Sequence, residues 1–216
     1  MKKLIPWMLI ISLILNAIFI SVIIAFSVEF NKEIRQKITN KTKCNIVMYG
    51  NSLTYKGDWQ KLLFRFDVRN EGQDGFTTGE LKNVLKQKVI QHQPKICFME
   101  GGINDIFQQI PLPVIEANYT YMVDTLLKHG IEPVVQSTLY VDSVPESVTN
   151  QKVDSFNIIL RQMCAERGVK YLNLNSLLSK NKRLKTEINT DDIHLNKKGY
   201  LLWRELVKEV LKTKDF

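Results

Sequence analysis

Five short β-prone runs, each followed by turn residues and separated from the next by apolar residues at helical spacing, constrain the fold of this chain more than any other feature. The runs are residues 44–49, ending at Gly50; 66–70, before a glycine-containing loop; 96–100, before Gly101-Gly102; 133–137, before a loop; and 169–173. Between the second and third, Leu81, Val84, Leu85, Val89 and Ile90 follow Thr77 and Thr78, either of which can N-cap a helix with Glu80 in its first turn. Ile115, Tyr119, Met122, Val123, Leu126 and Leu127 mark a second helix, closed by His129-Gly130. Val153, Phe156, Ile159, Leu160 and Met163 mark a third that ends near Gly168, and a last one runs from about Lys197 through Leu201, Leu202, Leu206, Val210 and Leu211. A helical crossover returns the chain to the same end of a sheet, so strands that alternate with helices pair in parallel, and a parallel sheet needs cover on both faces. The expectation is an α/β three-layer α/β/α sandwich around a five-stranded parallel sheet.

Ligands of such sheets bind beyond the carboxyl ends of the strands. Ser52, Gly75, Asn104 and the loop after Gln136 all follow strand ends and are expected on one rim. Asp191 and His194 lie in the loop before the last helix and can reach the same rim.

Residues 4–28 contain no charged side chain, and as a helix they are long enough to cross a hydrocarbon core of roughly 30 Å. The expected organisation is a short cytoplasmic tail (1–3), a transmembrane anchor (4–28), a polar juxtamembrane stalk (29–43) and one folded domain (44–216). Lys2 and Lys3 also suit the n-region of a signal peptide, but the apolar stretch exceeds a usual h-region and no small-x-small cleavage site stands out. Lys32, Arg35, Lys37, Lys41 and Lys43 follow the run, which by counting alone favours an inside domain. Long domains cross largely regardless of charge and a short basic N-terminus commonly stays inside, so the domain is expected outside the cytoplasm.

Composition narrows the function classes. With 44% hydrophobic and 24% charged residues the chain is neither disordered nor fibrous. The net charge of +8 is dispersed, which makes a solvated surface the default; an anionic membrane face or an acidic wall polymer would also suit it, and no motif points to nucleic acid. Cys44, Cys97 and Cys164 are odd in number and widely spaced, so neither a disulfide framework nor a metal site follows, and they read as small buried hydrophobes.

A serine hydroxyl needs a base within hydrogen-bond reach, itself oriented by a third group. Of the three histidines, His92 falls in a helix-to-strand connection and His129 at a helix end, both readable as surface residues. His194 follows Asp191 by three residues, close enough for a turn to let the carboxylate accept from Nδ1 and leave Nε2 facing a serine. Asp-x-x-His alone is a common spacing; its weight comes from its order after Gly-x-Ser and Gly-x-Asn. Thr54 stands where the nucleophile elbow Gly-x-Ser-x-Gly would place its last glycine, so that elbow is not supported.

The segments 50–54 (Gly50-Asn51-Ser52-Leu53-Thr54), 70–78, Gly102-Ile103-Asn104-Asp105 and 191–196 together resemble the four blocks of the SGNH (GDSL-type) hydrolases, over about residues 44–211. The resemblance implies that family's flavodoxin-like sandwich and an esterase working through an acyl-enzyme, with no metal or organic cofactor. By it Ser52 is the nucleophile, His194 the general base and then acid, and Asp191 the residue that orients His194. It also implies an oxyanion hole made of the Ser52 backbone N–H, the Gly75 N–H and the Asn104 side-chain amide, with Gly72 three residues too early. One departure is Asn51, where the family has the aspartate of Gly-Asp-Ser. Gly50-Asn51-Ser52-Leu53-Thr54 with Gly57-Asp58-Trp59, together with Gln136-Ser137-Thr138-Leu139, looks similar to members that act on acetylated sugars or small acetyl esters, so the expected partner is a small-molecule or glycan ester. A lysophospholipase or thioesterase, an O-acetyltransferase and a non-catalytic glycan-binding module are the rival expectations, the first suggested by the apolar residues Phe107, Ile110 and Leu112.

Overall fold

The computed structural model of the chain describes residues 4–143 and 147–216, so the expected cytoplasmic tail 1–3 lies outside the described residues. The chain divides into two compact units, one up to Lys43 and one from Cys44 to Phe216.

The first unit is a single helix, α1 (Leu4–Lys41), of 38 residues, about 57 Å long at 1.5 Å per residue. It continues without a break through the polar segment expected as a stalk. Its stretch Ser12–Arg35 is long and apolar enough to cross a membrane, and a signal sequence meets the same length and composition test. Leu13, Phe19 and Ile24 are among its exposed apolar side chains.

In the second unit the elements in chain order are β1 (Ile46–Gly50), α2 (Ser52–Tyr55), α3 (Trp59–Leu63), β2 (Val68–Gly72), α4 (Thr78–Lys88), β3 (Ile96–Met99), α5 (Ile103–Phe107), α6 (Leu112–Lys128), β4 (Glu132–Gln136), α7 (Val148–Glu166), β5 (Lys170–Leu172), α8 (Asn175–Leu178), the strands β6 (Ser179–Lys180) and β7 (Arg183–Leu184), and α9 (Lys197–Leu211). The sheet is five-stranded, in the order β2-β1-β3-β4-β5, and every pair is parallel. The central strands carry mainly apolar side chains because both faces are covered: Ile46, Val47, Met48, Ile96, Cys97, Phe98, Val134 and Val135 are all inaccessible to solvent. The chain leaves β1 toward β2 in one direction and returns past it to β3 in the other. Right-handed crossovers then put α3 on one face and α4, α6 and α7 on the opposite one. The packing agrees, with α4 against α6, α6 against α7, and α3 against α9.

The helix ends follow local chemistry. Thr77, rather than Thr78, caps α4, and Glu80 reaches back to the Thr77 N–H at 2.8 Å to complete a capping box. The helix stops at Lys88, and Ile90 belongs to a separate turn of 3₁₀ helix. Thr78 is free for another task, described below. On the α3–α9 face, Trp59 and Trp203 meet edge to face with ring centroids 5.0 Å apart, and Tyr200 stacks on Trp203. The short β6–β7 hairpin had no periodic signal to announce it, since two-residue strands carry none. The three cysteines are buried and unpaired.

Candidate active site

The strand order reverses between β1 and β3, and in such sheets that switch point opens a crevice at the carboxyl ends. Ser52 follows β1 and Asn104 follows β3, so both stand at the crevice. Gly50 ends β1 because nothing larger fits: a Cβ there would lie 2.5 Å from the Glu100 carbonyl oxygen and 2.4 Å from Thr54 Oγ1. Asn51 then caps α2, its side-chain oxygen accepting from the Leu53 N–H at 2.9 Å. Ser52 is the first residue of that helix, so its N–H is one of the first-turn donors that no intrahelical carbonyl meets.

His194 faces this serine. Its Nε2 lies 2.9 Å from Ser52 Oγ, and its Nδ1 lies 2.7 Å from Asp191 Oδ2. With the proton on Nδ1 and donated to the carboxylate, Nε2 is left to accept from the serine hydroxyl. Asp191 Oδ1 also accepts from the His194 N–H at 2.7 Å and the Ile193 N–H at 3.3 Å. These bonds, the His194 backbone first and its side chain second, draw the Asp191 carboxyl down to about 2. Ser52 is buried while the Asp191 side chain is 53% exposed, so the relay runs from the protein interior outward.

The rim glycine and asparagine lie together. Gly75 has φ +75°, the left-handed region that glycine enters without strain. Its N–H has no hydrogen-bond partner among the described residues, whereas the Gly72 N–H is already given to Asn70 Oδ1 at 3.0 Å. Asn104 Nδ2 donates to the Phe76 carbonyl at 2.9 Å, one residue from Gly75, which uses one of its two amide hydrogens and leaves the other. The arrangement can remove a proton from Ser52 and offer three N–H donors to an oxygen that gains negative charge. His92 and His129 take no part: His92 pairs with Glu71 at 2.8 Å, and His129 Nδ1 donates to the Thr125 carbonyl at 2.8 Å.

Three groups that hold the site were not visible in the sequence. Asp105 is fully buried and accepts from the Thr78 N–H (2.9 Å) and hydroxyl (2.6 Å), tying the start of α4 to the Asn104 segment. Asp142 pairs with Arg183 and accepts from Asn189 Nδ2 at 2.8 Å, and its N–H reaches the Asp192 carbonyl at 2.7 Å. Asn189 in turn receives the Asp192 N–H at 3.1 Å, and Asp192 has φ +67°, so the turn that presents His194 is fixed from both sides. Glu100 lies buried beneath the Ser52 turn. The segments whose likeness or apolar character pointed to a substrate class make structural contacts. Gln136, Ser137 and Thr138 are completely buried, with Gln136 accepting from Trp203 Nε1, and Trp59 gives its indole N–H to the Thr54 carbonyl at 2.8 Å. Ile110 and Leu112 pack on the core, and Phe107 is 44% exposed.

A parallel five-stranded sandwich with a serine, histidine and aspartate in hydrogen-bonded sequence at its switch point has the fold and the acid-base geometry of an α/β hydrolytic enzyme. The sequence profile of the GDSL-like lipase/acylhydrolase family matches residues 48–202, and the chain belongs to that family, which makes it a carboxylic ester hydrolase. No curated protein matches the chain by sequence. Among solved structures the fold is similar to that of a GDSL-like lipase from Bacteroides thetaiotaomicron, at 19% identity and a TM-score of 0.70 over 80% of this chain and 89% of the other. It is also similar to a catalytic mutant of an acetylxylan esterase from Geobacillus stearothermophilus, at 14% identity and a TM-score of 0.67 over 80% and 98%.

Proposed function

We propose that the protein is a membrane-anchored serine esterase that removes short acyl groups, acetyl foremost, from carbohydrate or related envelope substrates. The observation that carries the reading is the hydrogen-bonded run from Ser52 Oγ through both ring nitrogens of His194 to Asp191. Ser52 Oγ attacks the ester carbonyl while His194 Nε2 takes the hydroxyl proton, and Asp191 holds the imidazole in orientation and stabilises its charge. The tetrahedral oxyanion is met by the Ser52 and Gly75 N–H groups and the free amide hydrogen of Asn104. His194 returns its proton to the leaving alcohol, which departs and leaves an acyl-Ser52. Water, deprotonated by the same imidazole, then attacks that acyl group and releases the acid.

Short acyl groups and glycan substrates are supported by the likeness to an acetylxylan esterase. The apolar stretch Ser12–Arg35 of α1 supports an anchor, and the placement of the folded unit outside the cytoplasm rests on the short basic N-terminus before it. Full-length protein in an ester-free detergent, assayed on p-nitrophenyl esters from acetyl to decanoyl, tests the activity. Turnover is expected to be highest at acetyl to butyryl and absent in Ser52→Ala. Rates that keep climbing beyond butyryl would overturn the short-acyl assignment, and an unchanged Ser52→Ala would overturn the nucleophile. For the anchor, full-length protein should resist carbonate extraction from membranes and be digested by protease added to intact cells.

A further inference from the structure

Position 51 carries an amide where the family resemblance leads to a carboxylate, and its side chain meets that of Glu100, just beyond the end of β3. Glu100 is 1% exposed. Its two carboxyl oxygens have Asn51 Nδ2 and Thr54 Oγ1 as side-chain neighbours, each at 3.5 Å, the long end of a hydrogen bond. Among the described residues, no lysine, arginine or histidine makes an ion pair with it. Tyr119 of α6 and Tyr200 of α9 face it but donate elsewhere, to the Gly101 carbonyl at 3.3 Å and the Leu53 carbonyl at 2.7 Å. Asp105 of α5 is turned toward Thr78. With only these two long side-chain bonds and the Asn51 backbone N–H to compensate it, an ionised carboxylate this buried is costly, which favours the protonated form. Burial pushes the Glu100 carboxyl up to about 8, against the opposing pull of the Thr54 and Asn51 donors.

Helix capping does not explain Asn51, because asparagine and aspartate cap equally well. The two differ in what they show Glu100. Asn51 offers an N–H, whereas an aspartate would set a second carboxyl about 3.5 Å from the first, where both cannot ionise. The two neighbours of Glu100 flank Ser52 in sequence, so any repulsion at this point moves the serine directly. We propose that Glu100 is a positioning residue for the Ser52 turn and forms one acid–amide pair with Asn51, the turn accommodating one ionised carboxylate at either position but not two. This rests on Ser52 as the nucleophile.

The test is a charge swap in the full-length protein, read by p-nitrophenyl acetate turnover and by fluorophosphonate labelling of Ser52 between pH 6 and 9.5. Asn51→Asp should lower kcat by about tenfold or more near pH 8 with little change in KM. Adding Glu100→Gln to it should restore kcat to within about threefold of the parent, a coupling that independent sites do not show. Glu100→Gln alone should raise the ratio of labelling rates at pH 9 and pH 6.5, because the parent acquires a buried charge as Glu100 ionises and the amide cannot. Full activity in Asn51→Asp, or no recovery in the double variant when both unfold near the parent's temperature, would overturn the pairing. If Asn51→Asp does not fold, the Glu100→Gln labelling ratio decides, and an unchanged ratio overturns it. Ser52→Ala separates the two layers: retained turnover there sinks the nucleophile reading, while a dead Ser52→Ala beside an unrestored swap sinks only the pair.

Discussion

His194 Nε2 stands 2.9 Å from Ser52 Oγ although 142 residues separate the two in the chain. One strand end and one turn bring this about, because β1 delivers Ser52 and the turn before α9 delivers His194 to the same side of the sheet. Tyr200, six residues after His194, ties the two segments again through its hydroxyl on the Leu53 carbonyl. Removing either partner should therefore remove the chemistry and leave the fold. Ser52→Ala and His194→Ala are each expected to lower kcat by about 10⁴-fold or more, with the double variant no worse than the singles. Steady-state kinetics on p-nitrophenyl acetate, beside a thermal melt, check this; additive losses would mean the two do not act as a unit.

Asp191→Asn should be milder for stability than for rate. The side-chain oxygen that accepts from the Ile193 and His194 N–H groups can be kept, so the turn survives. The amide that then faces Nδ1 is a donor, and it favours the tautomer with its proton on Nε2, which cannot accept from Ser52. A fall in kcat of about 10²- to 10⁴-fold is expected, the lower figure reflecting a carboxylate that is half exposed. A variant as active as the parent would remove Asp191 from the relay.

Asn104→Ala deletes the side-chain amide hydrogen assigned to the oxyanion. Loss of one such donor costs about 10²- to 10³-fold in kcat. KM should move little, because the bond forms fully only as the carbonyl oxygen becomes charged. The Phe76 carbonyl loses its partner too, so the melting temperature is the control. A rise in KM with kcat unchanged would place Asn104 in ground-state binding instead.

The blocks around Ser52, Gly75, Asn104 and His194 could be picked out in the sequence because the chemistry proposed for them needs particular residue types in a particular order along the chain. The alternation of apolar runs likewise specified a parallel sheet, and α9 had the bounds its spacing implied. The residues that hold those blocks were not legible, since each works through a partner far away: 49 positions from Asn51 to Glu100, 27 from Thr78 to Asp105 and 47 from Asp142 to Asn189. A polar residue reads the same in one dimension whether it will meet substrate or a buried neighbour. Gln136, Ser137 and Thr138, part of a segment whose likeness pointed to acetyl esters, face the interior, so any bearing they have on substrate is not through contact.

Asp105→Ala tests that hidden layer. It leaves the Thr78 N–H and hydroxyl without their acceptor inside the protein, and destabilisation of about 3 kcal/mol is expected. For a domain of this size that is a fall of about 6–12 °C in melting temperature. Asp105→Asn keeps one acceptor and should lose about half as much. Differential scanning calorimetry measures both, and equal losses would show that packing rather than acceptance matters there.

Acid should loosen the His194 turn before it unfolds the sheet. Asp191 is drawn down to about 2, and Asp142 is also held below the usual carboxylate range: burial opposes this, but the donors Asn189, Arg183 and Thr186 outweigh it. A carboxyl with a depressed folded value stabilises the protein above its unfolded value of about 3.9, and that stabilisation drains away as pH falls toward the folded value. The window is therefore about pH 4 down to pH 2. In it the parent should lose melting temperature faster than Asp142→Asn, whose amide does not titrate, while at pH 6 the variant should be the less stable of the two. Parallel melting curves across the window would remove Asp142 and its loop from the acid response.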